Sequence, residues 1–444
     1  VSAKSNYAVT ISDASVDAGD INAMSGIGVG KTTGTISVTA ADDINGTEAE
    51  LTTFFTNVGN NKISTSVDYN LEVEDATITA ANIKTFDGYT IGTITAPNAT
   101  TITGSLSDLA AVFASGEVSL PGAINVQFDT VVGATAQNVT DLNAIVEATT
   151  GTVTGTLSGT AAVLDDLTSD AASAATNVLT ITVTDAQTGA AGVTALNTIA
   201  ASTTGSVTAT ISGNSADLDD LTATGTTATQ AYTITVNDTA TVASGAAIAD
   251  ATNAATVDFS AGGITDSFGA VVDGTAVSAN MQKVDAKDAD VNVTISGTVA
   301  NMSAGNVTGL NALMNATTGT VTATIDGNAA ELDDLQATGT TSTQALTITV
   351  DDAVTAAQGA AIADATSVAT VDFSAAGVND AFANLVNVGG GTVSADMAKV
   401  DAKDANVNVT VNDAALANMS AADVTDLNAL MNATTGTVTA TIDG

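Results

Sequence analysis

The chain repeats itself. Residues 307–327, VTGLNALMNATTGTVTATIDG, return 117 residues later as VTDLNALMNATTGTVTATIDG at 424–444. Residues 245–263, GAAIADATNAATVDFSAGG, return 114 residues later from Gly359, and VDAKDADVNVT from Val284 returns as VDAKDANVNVT from Val400. A diverged copy, VTDLNAIVEATTGTVTGTLSG, begins at Val139. A period of about 115 residues therefore covers Thr203 to the end. Inside it, strand-like phrases recur every 22 to 31 residues or so, among them 152–157, 206–211, 291–295, 320–325, 346–350 and 437–442. Short helical phrases lie between them. One supersecondary unit of that length belongs to repeat architectures.

A single unit can be read in detail. Val424, Leu427, Leu430 and Met431 recur at helical spacing and mark one apolar face. Ser420 with Asp423 forms a capping box ahead of them, and Asn328 with Glu331 forms a second one before LDDL, where Leu332 and Leu335 share a face. Gly436 is placed to end the helix in a left-handed turn. In TVTATI, Val438, Ala440 and Ile442 alternate with Thr437, Thr439 and Thr441, the pattern of a half-buried strand.

A strand, a turn and a short helix cannot bury their own apolar face, but stacked copies can. The expected fold is a β-rich repeat protein: an elongated β/α solenoid of stacked strand–short helix units with a mainly parallel sheet. A string of β-sandwich domains is the alternative. It calls for tight hairpin turns between neighbouring strands, and such signals are few. Residues 1–138 are less regular, hold three of the four Tyr and four of the eight Lys, and read as diverged N-terminal units or a cap. Residues 139–444 form the repeat array. The chain opens on Val1 and stops on a phrase that elsewhere runs on into NAAELDDL, as expected of a processed or excerpted chain that continues.

Composition removes whole chemistries. The chain has 48 acidic residues against eight Lys, no Arg, no His and no Cys, for a net charge of −40. Without His or Cys there is no Ser-His-Asp or Cys-His nucleophile and no ordinary zinc site. The charge balance argues against nucleic acid. No apolar run is long enough to insert into a membrane. Acidic pairs could in principle hydrolyse glycosides, but here they recur in every copy, whereas an active site is unique. The chain is therefore expected not to be an enzyme.

Of the 48 acids, 41 are Asp and seven are Glu. A short carboxylate suits turns, helix caps and hard cations. The candidate metal ligands are Asp285, Asp288 and Asp290, their counterparts Asp401 and Asp404, and the LDDL pairs Asp165/Asp166, Asp219/Asp220 and Asp333/Asp334. Asp238, Asp258, Asp351, Asp352, Asp372 and Asp413 end strands. Stacked units would bring equivalent carboxylates about 5 Å apart, and calcium between them would relieve the repulsion. Solvated turns and helix caps are the plainer use of the same residues. No EF-hand loop and no full GGxGxD nonapeptide occurs.

Three further motifs carry less. SGIGVGKTTG, residues 25–34, looks like a phosphate-binding loop but has Ser25 where the first Gly is required. Outward Thr pairs such as Thr322/Thr324 and Thr439/Thr441 suit an ice-binding face, and equally any exposed strand. Asn45, Asn98, Asn138, Asn315 and Asn432 begin Asn-x-Ser/Thr triplets, which abundant Thr produces by chance.

The Ala/Thr/Val/Gly/Asp composition, the absent Cys and His, and phrases such as VTDLNALMNATTGTVTATIDG resemble giant repetitive surface proteins of marine cyanobacteria, and RTX-type S-layer proteins and adhesins. The likeness covers about residues 139–444. It implies secretion without disulfides, calcium-stabilised β-solenoids and assembly on the cell surface. The missing nonapeptide prevents a residue-by-residue transfer of ligands. The expected role is a structural subunit or segment of an extracellular filament, sheath or S-layer-like assembly, stabilised by calcium, or else the stalk of a calcium-dependent adhesin. Expected partners are further copies of the chain and cell-surface polysaccharide.

Overall fold

A computed structural model describes residues 6–27, 29–226 and 228–443. They fall into two compact units, one built from residues 1–187, 191–210 and 224–232, the other from 188–190, 211–223 and 233–444. Both are α/β, with short strands alternating with short helices.

The strands pair in parallel because each is followed by a helix or turn that carries the chain back before the next strand begins. In the first unit Thr77–Thr79, Thr101–Gly104, Asn125–Phe128, Thr152–Gly159 and Thr176–Val183 lie side by side in sequence order. The pairing of Thr152 with Thr176 shows an offset of one short repeat. In the second unit Ile264–Asp266, Val293–Val299, Thr320–Gly327, Thr343–Val350 and Val371–Asp372 do the same, with Thr320 opposite Thr343. Hairpins of the kind a β-sandwich would need are confined, among the described residues, to Val272–Asp273 with Ala276–Val277 and Val386–Asn387 with Thr392–Val393.

The core is thin and aliphatic. Val321, Ala323 and Ile325 point inward from their strand, as do Leu346, Ile348 and Val350 from the next, while Thr324 and Thr347 stand outside. Leu310, Leu313 and Met314 of the helix Ala304–Ala316 are buried as well, as are Leu332 and Leu335. The first unit adds an aromatic knot in which Phe55 stacks on Tyr89 at 4.4 Å, and Tyr69 donates to the Tyr89 carbonyl at 2.9 Å.

Three details differ from expectation. Gly436 is not in the left-handed region. A Cβ there would lie 2.4 Å from the carbonyl oxygens of Asn406 and Val407, so this glycine serves close approach to the preceding repeat. The side chain of Asn328 does not cap its helix, whereas Ser420 with Asp423 does form its box. Val424 and Met431 are exposed in the last copy, although their counterparts in Ala304–Ala316 are buried.

The longer helix of each late copy also meets a hairpin. In Ala421–Ala433 the fully buried Asp426 accepts the N–H of Gly389 at 2.6 Å and of Gly391 at 2.7 Å. Both glycines have positive φ, which aims their amides at the carboxylate. The earlier copy has Gly309 at this place, under a shorter hairpin. A Cβ on Gly309 would sit 2.4 Å from Val272 Cγ1 and 2.7 Å from the Gly274 carbonyl oxygen.

Candidate functional site

Parallel stacking puts the end of one strand beside the start of the helix that follows the previous strand. An Asp stands there repeatedly. Asp185 accepts the N–H of Ala161 at 2.8 Å, Asp238 that of Ser215 at 2.7 Å and Asp352 that of Ala329 at 2.7 Å. Asp266 binds Val242 at 3.1 Å, Asp380 binds Ala356 at 3.0 Å, Asp413 binds Phe382 at 2.6 Å and Asp75 binds Glu48 at 2.6 Å. Each recipient is the first residue of a helix. Ala161, Ser215, Ala329 and Phe382 begin helices whose own N-cap residue makes no side-chain cap bond. The missing cap is supplied from the next repeat, where a carboxylate meets free N–H groups and the positive end of the helix. Burial works against the charge of Asp185, but the Ala161 N–H and Gln187 outweigh it and hold the carboxyl below its ordinary value.

A second tie runs the other way along the stack. In each Thr-x-Gly turn a buried Thr hydroxyl donates to a carbonyl of the preceding repeat and accepts the Gly N–H two residues on. Thr149 does so with Ile124 at 2.6 Å and Gly151 at 2.9 Å, and Thr317 with Val291 at 2.7 Å and Gly319 at 2.9 Å. Thr434 repeats this with Val407 at 2.6 Å and Gly436 at 2.9 Å, and Thr32 and Thr90 make the same bonds to the Tyr7 and Tyr69 carbonyls. The glycine lets the two backbones touch: a Cβ on Gly151 would lie 2.3 Å from the Ile124 oxygen.

The Lys residues are used in the same way. Lys287 donates to the carbonyls of Thr252 and Ala254, and Lys403 to those of Thr366 and Val368. Lys283 pairs with Asp250 and Lys399 with Asp364, both at 2.6 Å.

The Asp residues singled out from sequence lie as follows. Asp165, Asp219 and Asp333 are the C-caps of four-residue helices and are half-buried; Asp166, Asp220 and Asp334 follow them, exposed. Asp219 accepts the Ser244 hydroxyl at 2.7 Å. Asp285 ends the helix Ala279–Asp285, and Asp401 lies in Ala395–Lys403; each keeps one buried oxygen without a hydrogen-bond partner, and burial raises both carboxyls above their ordinary value. Asp288 accepts the Phe259 N–H at 2.9 Å and Asp404 the Phe373 N–H at 3.0 Å.

Asp288 and Asp290 share a cleft with Thr256, Asp258, Ser260 and Asn292. Burial pushes Asp288 up to about 6; the Phe259 N–H opposes this and neighbouring Asp290 reinforces it. The matching cleft in the later copy has Asn406 where the earlier has Asp290. Among the described residues no three acidic side chains gather as a ready cation cage.

The raised Asp288 makes a signed prediction. A carboxyl that binds its proton more tightly folded than unfolded destabilises the fold as pH rises between its two values. Stability should therefore fall from about pH 4 to about pH 6, by about 1 kcal/mol once screening of this partly open group is allowed for. Asp290→Asn should lower the Asp288 midpoint in a carbon-detected NMR titration and flatten that slope. An unmoved midpoint would show that Asp290 is not its partner.

The remaining motifs serve locally. Of residues 25–34, Gly28 lies outside the described residues; the strand Ile36–Ser37 follows where a nucleotide site would need a helix. Among the described residues no helix is long and apolar enough to cross a membrane. A scan against protein-family models, a search of curated proteins and a search of solved structures each gave no match.

The caps from neighbouring repeats were not read from the sequence. Their signal is a recurring offset: Ala161 to Asp185, Ser215 to Asp238 and Ala329 to Asp352 span nearly the same interval.

Proposed function

We propose that this chain is a non-catalytic structural segment of an extracellular filament, sheath or surface layer, built as an elongated β/α solenoid. One observation carries the reading: the polar groups that recur with the repeat are spent on holding the next repeat. Strand-end Asp residues close the neighbouring helix, and Thr-x-Gly turns clasp the neighbouring backbone. Such bonds stiffen a stack. The likeness in composition and cadence to repetitive surface proteins supports the same role and an extracellular location. Further copies and surface polysaccharide remain the partners that fit a carboxylate-rich rod.

Calcium belongs to this proposal as a stabiliser of a chain with net charge −40. The Asp288–Asp290 pair suits it best, because burial and the neighbouring Asp290 already make the Asp288 carboxyl resist ionisation there. Calcium accepts two carboxylates with water completing its shell, and a site so open would bind in the millimolar range, roughly 10⁻³ M. Bound there, the ion would hold Asp288 ionised at neutral pH.

Circular dichroism melts in millimolar calcium and in chelator test the metal. The midpoint should rise with calcium in the native chain and not in Asp290→Asn. Equal midpoints in calcium and chelator would remove calcium from the proposal.

A further inference from the structure

In the turns that clasp one repeat to the last, the residue between the buried Thr and the Gly is itself Thr at Thr33, Thr150, Thr204, Thr318 and Thr435. Thr150 donates its hydroxyl to the Gly122 carbonyl at 3.2 Å, Thr204 to Asn177 at 2.9 Å, Thr318 to Ala289 at 3.2 Å and Thr435 to Ala405 at 3.0 Å. The turn at 90–92 departs from this. Its middle residue is Ile91, 69% exposed. Ile gives up the hydroxyl bond and sets an apolar side chain in water, so the stack gains nothing from it.

Two neighbours depart in the same direction. Ahead of the buried Thr stand Ala148, Ala316 and Ala433 in later turns, but Tyr89 here, 40% exposed. The carbonyl that Thr150, Thr318 and Thr435 bind belongs to Gly122, Ala289 and Ala405; here it belongs to Val67, which accepts the Ile91 N–H at 2.8 Å and is 63% exposed. One corner of the first unit thus carries three large apolar side chains where later copies carry Ala, Thr and Gly or Ala.

This corner is a firm platform. Tyr89 stacks on the buried Phe55 with ring centroids 4.4 Å and planes 5° apart, and Tyr69 holds the Tyr89 carbonyl from behind. Thr90 is buried between them, so Tyr89 and Ile91 face outward together. Further along the same two segments lies a cleft of about 580 Å³ lined by Asp43, Asn45, Asn70, Glu72, Thr93 and Thr95. Asn70 accepts the Thr93 N–H at 3.0 Å and donates to Asp43 at 3.1 Å, which fixes its amide. Outward rows of the later sheets carry Thr instead, as in Thr324 beside Thr347.

We infer that this corner and cleft bind a neutral polysaccharide, with one pyranose ring on Tyr89 and Ile91 and the following rings in the cleft. The C–H face of a pyranose is flat and apolar, which suits an aromatic platform, and its rim hydroxyls donate to carboxylates and amides. Asp43 and Glu72 are the charged members of the cleft and disfavour a uronate chain. Three side chains offer too little apolar area for a protein partner, which needs about 800 Å² on each side. This binding rests on the polysaccharide partner proposed above, and gives it a place and a class.

The test titrates the full chain with cellohexaose, laminarihexaose, maltohexaose and mannohexaose, and with hexagalacturonate as an anionic counterpart, by calorimetry and saturation-transfer NMR. At least one neutral sugar should bind, and hexagalacturonate should bind at least about tenfold more weakly. Tyr89→Ala should weaken the neutral sugar about tenfold. Because Tyr89 packs on Phe55, Ile91→Thr is the second variant: it restores the residue of the other turns, so the unfolding midpoint should not fall, yet binding should weaken about fivefold. Glu72→Gln should weaken it about threefold. Failure of all four neutral sugars to bind would overturn the inference, and the stack is read separately, from hydrogen exchange without sugar. Binding untouched by Tyr89→Ala and Ile91→Thr would also overturn it, while leaving a polysaccharide partner held elsewhere on the chain. Hexagalacturonate binding as tightly as the neutral sugars would overturn the class of ligand.

Discussion

Gly319→Ala should lower the unfolding midpoint of the second unit by an amount equivalent to about 3 kcal/mol. The added methyl would lie 2.4 Å from the carbonyl oxygens of both Asp290 and Val291, and backbone atoms cannot swing aside as a side-chain tip can. To admit it, the turn must lift off the preceding repeat. That movement also breaks the bond from the Thr317 hydroxyl to the Val291 carbonyl and exposes the edge of Thr320–Gly327. Gly116→Ala is the control, because its methyl would meet nothing within 4 Å and its backbone is not left-handed. Denaturant unfolding followed by far-ultraviolet circular dichroism reads both. Equal midpoints for the two variants would mean that the turns do not clasp one another.

Asp426→Ala should cost a similar amount, about 3 kcal/mol, since it strips a fully buried carboxylate from two part-buried amides that both bind it. The hairpin around Gly389 and Gly391 should lose its amide protection in hydrogen exchange while Thr343–Val350 keeps its own. The reciprocal change, Gly309→Asp, should not create the same lock. Its side chain would strike Val272, and the shorter hairpin brings a carbonyl, Gly274, where the later copy brings N–H groups. A stable Gly309→Asp variant together with a silent Asp426→Ala would contradict this account of why the two copies differ.

The repeat, the strand phrases and the inward alternation of Val321, Ala323 and Ile325 were legible in the sequence because each is a local pattern with a fixed period, whereas Ile442 of the last copy, expected to face inward, is exposed. What escaped depends on residues one repeat away. Gly436 looks like a helix stop when read with its neighbours in the chain, and shows its purpose only beside Val407. Asn328 looks like a cap until Asp352 is placed over Ala329. The strand-end Asp residues were grouped with possible ligands for the same reason: composition shows their number, but not that their oxygens already hold amides. Of the candidate ligands, Asp285, Asp288 and Asp401 lie in surroundings that disfavour the charge.

Hydrogen exchange of the purified chain tests the central claim most directly, since repeats that share one core within a unit must hold one another's amides. The account predicts that Thr320–Gly327 and Thr343–Val350, paired along their whole length, are protected together and lose protection together in Gly319→Ala. Protection lost from Thr320–Gly327 alone, with Thr343–Val350 unchanged, would contradict it.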